Sequence, residues 1–390
     1  MKILDVTEFF SERGGGVRSH LTSKGQALCQ RGHEHVIVAP GPRGEQPVGP
    51  SRLIRVGGPA MPYDPSYHLL WRPDAVRRVV AREHPDVLEI HSPYVAAMGA
   101  LASRGGNFGV RTFFWHSDFI DTYRHVLLDR DFFGMRVAPR AQDAIAEPLW
   151  AWVRRITRAC DATIVAAQWQ VDKLRSHGAQ NIVKLPFGVD KSTFRVRERS
   201  EAVRASFGCN PGELLLVGVG RFAIEKRWDV AIEAFFKIAA ARPCRLVLFG
   251  DGPERARLEA LAAGDKRVVF AGFEKGRERL ADVLASADAL VHACPYETFG
   301  LSIAEAVCCG LPVVVPDAGG AAEQALPGFS ETYASLDAGA CAEALLRLLR
   351  RDAAALRASA IARRDAIASV DEHFAQLAAL YEQLIARRRM

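Results

Sequence analysis

Strand-sized apolar runs alternate with helix-sized amphipathic ones twice over in this chain, and that double alternation limits its possible folds more than any other feature. Lys2 to Val6 reads as a strand, Val17 to Arg31 as an amphipathic helix, and His35 to Ala39 as a second strand ending at the turn cluster Pro40-Gly-Pro-Arg-Gly44. Further strands are expected at Asp86 to Ile90, Arg111 to Trp115, Asp161 to Val165 and Asn181 to Leu185, with helical stretches between them. A helix between two strands carries the chain back along the sheet, so neighbouring strands run parallel and helices cover both faces.

The pattern pauses once. Pro186-Phe-Gly-Val-Asp190 leads into the charged, apolar-poor stretch Lys191 to Ser200, and then the alternation restarts. Strands Leu214 to Val219, Arg245 to Phe249 and Val268 to Ala271 alternate with helices Trp228 to Ala241, Glu254 to Ala263 and Gly276 to Ser286. A chain of 390 residues exceeds what one core usually supports. The expectation is therefore α/β with two doubly wound parallel-sheet, Rossmann-like domains, at residues 1–190 and 191–370, followed by a helix at 371–390. The tail from Ala338 to Arg389 reads as helical throughout.

With 49% hydrophobic and 25% charged residues, the composition is that of an ordinary globular protein. Asp5 and Glu8 interrupt the opening apolar run too early for a signal peptide, and no apolar run approaches the ~18 residues of a membrane span. A cytoplasmic location is expected, with at most peripheral contact at the inner face of the cell membrane. The eight cysteines are scattered, without Cys-x-x-Cys pairs or His partners at zinc spacing, which predicts buried thiols, no disulfides and no metal site. Residues 1–186 carry 24 Lys and Arg against 18 Asp and Glu, whereas residues 187–390 balance at 27 and 27. The basic surplus thus lies in the first half, where it suits an acidic partner or is simply a solvated surface.

The chemistry concentrates at Pro295-Tyr-Glu-Thr-Phe-Gly-Leu-Ser-Ile-Ala-Glu-Ala306. The run Ala287 to His292 reads as a buried strand and Phe299 to Cys309 as a helix, so Glu297 falls on the loop and Glu305 on the helix. A helix start offers unpaired backbone N–H groups and positive partial charge, which suits a diphosphate, and nearby carboxylates can accept from several hydroxyls. The combination fits a ligand carrying both phosphates and a sugar. Two further strand ends add to it. Glycines in Glu12-Arg-Gly-Gly-Gly-Val-Arg-Ser-His20 let a phosphate approach the backbone, although a Gly-rich turn is also ordinary turn geometry. In Gly218-Val-Gly-Arg-Phe-Ala-Ile-Glu-Lys226, Arg221 and Lys226 can converge on one diphosphate, or remain surface charge.

Glu297 and Glu305, eight apart within Glu-Thr-Phe-Gly and followed by Gly310-Leu-Pro-Val-Val314 and Gly319-Gly320, resemble the donor site of retaining glycosyltransferases of family 4, which have the GT-B fold. Gly15-Gly-x3-His20 with Arg31-Gly-His-Glu-His-Val36, Gly-Arg-x4-Lys at Arg221 and Lys226, and the turns Phe249-Gly-Asp-Gly-Pro-Glu254 and Ala271-Gly-Phe273 are similar to the same family. His116-Ser-Asp-Phe with a following Tyr123 is similar to a His-Thr-Asp-Phe type in members that build glycolipids and mannosylated glycans. One departure is Arg227, where the family usually has Gly after the lysine.

The resemblance implies two domains facing a cleft and transfer of a hexose from a UDP- or GDP-linked donor to an acceptor hydroxyl, with the anomeric configuration kept. It implies a catalytic group of His116, Glu297, Arg221 and Lys226. Donor binding falls to Gly15, Gly16, Arg221, Lys226, Phe299, Gly300, Leu301 and Glu305. Glu297 would hold sugar hydroxyls, Glu305 the ribose diol, and His116 the sugar near its anomeric carbon, with Asp118 and Tyr123 towards the acceptor. A lone His after a strand is otherwise a structural hydrogen-bonding residue. The fold class usually needs no metal or other cofactor, and the last helix of such proteins crosses back to the first domain.

The expected partners are the nucleotide sugar and a saccharide or lipid-linked acceptor, with no nucleic acid. Trp150-Ala-Trp-Val-Arg-Arg-Ile-Thr-Arg158 adds an expected contact with an anionic membrane, against which stands an ordinary helix with Trp150 and Val153 packed inward. A GT-B epimerase or sugar-phosphate synthase would share the layout, and a non-catalytic nucleotide-sugar binding protein would share the site. A dinucleotide dehydrogenase fits less well, because the first turn lacks Gly-x-Gly-x-x-Gly.

Overall fold

The computed structural model describes residues 1–11, 16–61, 64–121 and 139–390. They form two compact units, one of residues 1–120, 139–186 and 370–390 and the other of 187–369 with residue 121.

The first unit is built on an eight-stranded sheet. Its strands are β1 (Lys2–Val6), β2 (Glu34–Ala39), β3 (Gly44–Val48), β4 (Ser51–Arg55), β7 (Val87–Ile90), β8 (Val110–Phe114), β9 (Ala162–Val165) and β10 (Ile182–Lys184), in the order β10-β9-β8-β7-β1-β2-β4-β3. Every pair is parallel except β3 with β4, an edge hairpin. A separate small hairpin pairs β5 (Ala60–Met61) with β6 (Asp64–His68). The central strands are buried on both faces: Leu4, Val6, Leu88, Ile90 and Phe113 belong to one core with Val76, Val80 and Ile156 of the flanking helices. That is why these strands read as continuous apolar runs rather than alternating ones. The helix Val370–Arg389 belongs to this unit and packs against the helix Gly16–Gln30.

The second unit has six strands, all parallel: β11 (Leu214–Val219), β12 (Cys244–Phe249), β13 (Val268–Gly272), β14 (Ala289–Val291), β15 (Val313–Pro316) and β16 (Ser330–Tyr333). Their order is β13-β12-β11-β14-β15-β16, so the direction of winding reverses between β11 and β14. Loops at the carboxyl ends of those two strands splay apart, and ligands of doubly wound sheets bind at that switch point. Glu297 follows β14, and Arg221 and Lys226 follow β11.

The tail departs from the expected unbroken helix. It consists of helices Ala338–Arg350, Ala353–Arg363 and Val370–Arg389, with a short 3-10 turn at Arg364–Ala366. Asp352 causes the first break: its side chain caps the second helix by accepting from the N–H groups of Ala354 and Ala355 at 2.8 and 3.0 Å. The second break sits where Val189 donates to Ala368 O at 2.9 Å. Sequence patterning also passed over β15 and β16, each four residues long, with Tyr333 the one apolar residue of β16.

Candidate functional site

In the second unit, the sequence-predicted residues gather around the helix Leu301–Cys308. Gly300 caps its start in the left-handed region, at φ 86°. A residue with a Cβ would be strained there and would also press on Ile303 Cδ1 at 2.9 Å. The helix therefore opens with the N–H groups of Leu301 and Ser302, directly after Phe299 and Gly300. The loop before it is held by the turn at Gly319 and Gly320: the Gly320 N–H donates to Glu297 O at 2.7 Å, and a Cβ on Gly320 would lie 2.5 Å from Thr298 O. Glycine is required here by close backbone approach, and the approach fixes where Glu297 points.

Glu297 meets Lys226, Nζ to Oε2 at 2.7 Å, and lies 3.4 Å from His292 Nε2. Burial opposes the charge of Glu297, yet the ammonium and the imidazole beside it hold its carboxyl well below the usual range. Burial likewise opposes the Lys226 charge, and Glu297 overrides it, so the ammonium is held above its ordinary value. Both members of the pair are thus charged, each positioned by the other. His292, Cys294 and Glu297 lie close enough together to share an ion, but the Lys226 ammonium already sits on that carboxylate.

Glu305, on the buried face of its helix, bonds the exposed Arg277 at 2.9 Å. Burial pushes its carboxyl up to about 7, against the pull of Arg277. Arg221 is exposed at the end of β11, where its carbonyl accepts from Trp228 Nε1 at 3.0 Å. Arg227, in the place where the family has Gly, adopts the left-handed conformation at φ 49° and forks onto Asp229 through Nε and a terminal nitrogen, both at 3.1 Å. The turn thus puts a bulky side chain in the left-handed region, a strained conformation for arginine.

The first unit holds a separate group. Gly16 opens the helix Gly16–Gln30 with no atom within 4 Å of where a Cβ would be, while Gly15 and Tyr123 lie outside the described residues. His116, half-buried past the end of β8, stacks on Phe114 with ring centroids 4.4 Å apart. Its Nε2 lies 2.6 Å from His91 Nδ1. Behind His91 is a fully buried ionic cluster in which Lys24 Nζ bonds both Asp5 and Glu89 at 2.7 Å. Thr112 Oγ1 and the Tyr381 hydroxyl donate to Glu89 at 2.7 Å, and His35 bonds Asp5 at 2.7 Å. Asp118 is buried in an ion pair with Lys173. Trp150 and Val153 pack inward, and Trp152 donates to Pro93 O at 2.5 Å, so the expected Trp and Arg membrane face reduces to exposed Arg155 and Arg158.

Sequence reading missed His292, Arg277 and the cluster behind His91. One signal was available for the last: Lys24 falls three residues after Leu21 and four before Leu28, on the apolar stripe of its helix, where a lysine needs buried partners.

Residues 14–193 match the family described as Glycosyltransferase Family 4, and residues 213–351 match Glycosyl transferases group 1. A GDP-mannose-dependent alpha-(1-6)-phosphatidylinositol dimannoside mannosyltransferase of Mycobacterium tuberculosis is 33% identical over 88% of this chain and 84% of its own length. The chain belongs to glycosyltransferase family 4. A GDP-mannose-dependent alpha-mannosyltransferase of Mycolicibacterium smegmatis is 30% identical over 93% of each chain. Among solved structures, a sucrose-phosphate synthase from Thermosynechococcus elongatus superposes with a TM-score of 0.80 at 22% identity, over 99% of this chain and 100% of that one, which shows the GT-B fold. This family 4 member is accordingly a hexosyltransferase that uses a nucleotide sugar. Among the described residues, no helix is long and apolar enough to cross a membrane.

Proposed function

We propose that this protein transfers mannose from GDP-mannose to a hydroxyl of a glycolipid or lipid-linked saccharide, with retention of the anomeric configuration. The observation that carries the reading is the Glu297–Lys226 pair beside the Gly300 helix start, in a chain whose mannosyltransferase relatives match it over most of its length. In this reading, Arg221, Lys226 and the N–H groups of Phe299 to Leu301 take the diphosphate, Glu297 takes sugar hydroxyls and Glu305 the ribose diol. By the family resemblance, Gly15 and Gly16 are assigned to the diphosphate and His116 to donation to the sugar. As the bond from the anomeric carbon to the diphosphate breaks, negative charge grows on the leaving oxygen and meets two fixed cations. That oxygen then accepts the proton of the acceptor hydroxyl as the new glycosidic bond forms on the same face. Arg221 and Lys226 do the electrostatic work often given to a divalent ion, so turnover should persist in EDTA.

A donor panel of GDP-mannose, UDP-glucose and ADP-glucose, assayed for transfer and for thermal stabilisation, tests the reading, with product anomers read by NMR. Transfer from UDP-glucose alone, or an inverted product, would overturn it. The same enzyme is proposed to touch anionic membranes through Arg155 and Arg158. Flotation with anionic but not neutral vesicles, weakened by salt and by charge reversal at both arginines, is the expected outcome.

A further inference from the structure

The ionic cluster behind His116 bears on which atom of that ring can meet a substrate. His91 Nε2 lies 3.3 Å from Asp5 Oδ1 and 3.3 Å from Glu89 Oε1, so it faces only acceptors and carries a proton. The charges decide the other nitrogen. Asp5 and Glu89 together bring two negative charges into a fully buried site where Lys24 supplies one positive charge. His35 bonds Asp5 through Nε2 and Ser51 through Nδ1, both at 2.7 Å, on the far side of Asp5 from His91. His91, whose Nε2 faces both carboxylates, balances the site as an imidazolium and leaves Nδ1–H to donate to His116 Nε2 at 2.6 Å.

We propose that His91 is a positioning residue that fixes His116 as the neutral tautomer protonated on Nδ1, making Nδ1 a hydrogen-bond donor and Nε2 an occupied acceptor. Its use in catalysis rests on the reading that His116 meets the transferred sugar. A neutral donor suits a sugar hydroxyl beside a developing oxocarbenium, where a second cation would repel the reacting centre. The groups around the histidine pair are Asp5 on β1, with His35 of β2 bonded to it, Lys24 and His20 on the helix Gly16–Gln30, and Glu89 on β7, while His373 and Tyr381 of the helix Val370–Arg389 contact His20 and Glu89. Burial opposes charge on both rings. At His91 the two carboxylates override it and raise its pKa, whereas at His116 the His91 charge adds to it and holds the ring well below its ordinary value. A histidine raised in this way keeps its proton through neutrality and loses it, with the stabilisation it brings, as pH rises through its folded value.

The test compares wild type, His91→Asn, which offers an N–H near the Nδ1 position without titrating, and His91→Phe, which offers none. Histidine 15N NMR should show His116 protonated on Nδ1 in wild type and in His91→Asn, and a tautomer mixture in His91→Phe. kcat/KM should fall about tenfold in His91→Phe and stay within about threefold in His91→Asn, with the alkaline limb of the wild-type pH profile absent from His91→Asn. Wild-type His116 protonated on Nε2, or an unchanged tautomer in folded His91→Phe, overturns the proposal whatever the activity. Full turnover in His116→Ala would instead sink the sugar-contact reading while leaving the tautomer result standing.

Discussion

Glu305→Gln should make the protein's stability less sensitive to pH in a way that can be worked from the Glu305 environment. An ordinary glutamate ionises near 4.5, whereas burial pushes this one up to about 7. The gap corresponds to about 3 kcal/mol. Only 8% of the Glu305 side chain is exposed, so solvent screening removes little of it. Below about pH 4.5 both folded and unfolded states hold the proton and no penalty exists. Between that value and about pH 7 the unfolded chain releases the proton while the folded one keeps it, so stability falls by about 1.4 kcal/mol per pH step. Above about pH 7 the whole penalty is present. Glutamine cannot ionise, and the difference between wild type and variant cancels every other titration. Urea unfolding at intervals from pH 4.5 to 8 should show Glu305→Gln gaining about 3 kcal/mol on wild type across that range. If the carboxylate holds the ribose diol, GDP should also bind wild type roughly tenfold more weakly at pH 6 than at pH 8, with proton release on binding, and bind the variant without that dependence. A flat stability difference across the range would refute the buried, proton-holding carboxyl.

Three further outcomes are expected. Glu297→Ala should lower turnover roughly ten- to a hundred-fold, and a double-mutant cycle with Lys226→Ala should return about 1–2 kcal/mol of coupling, a value lowered because both side chains are partly exposed; strict additivity in urea unfolding would show that the pair is not a unit. Gly320→Ala should cost about 1–3 kcal/mol in thermal unfolding and lower activity by displacing the Glu297 loop, and a variant with wild-type melting and turnover would contradict the close approach to Thr298. Arg227→Gly should raise stability by about 0.5–1 kcal/mol by relieving the left-handed strain, an idea abandoned if its melting temperature drops.

Much of the architecture was legible because long, doubly buried strands and amphipathic helices write their periods into the chain. β11 was read to the residue at Leu214–Val219, and β1 at Lys2–Val6. Boundaries slipped where an end depends on a cap: the reading began the helix at Phe299, but its first helical residue is Leu301, because Gly300 turns left-handed. The motif singled out Glu297 and Glu305, yet neither partner was foreseeable from it. Lys226 is 71 positions from Glu297 and Arg277 is 28 from Glu305, so the pairs exist only once β11, β14 and the intervening helices are packed. For the same reason, the spacing of Arg221 and Lys226 gave no hint that Lys226 also bonds Glu297.

The Tyr381 hydroxyl reaches Glu89 across 292 positions of sequence, and both belong to the unit that contains the first strand. On the ribosome, the sheet built on β1 thus emerges long before the helix that closes its charged interior. At about 5–20 residues per second, Asp5, Lys24 and Glu89 wait on the order of 15–60 s for residue 381. During that time water has access to side chains that end up dry. The second unit, whose main body runs from 187 to 369, emerges complete within this interval, so it can reach its native state before the unit that precedes it in the gene.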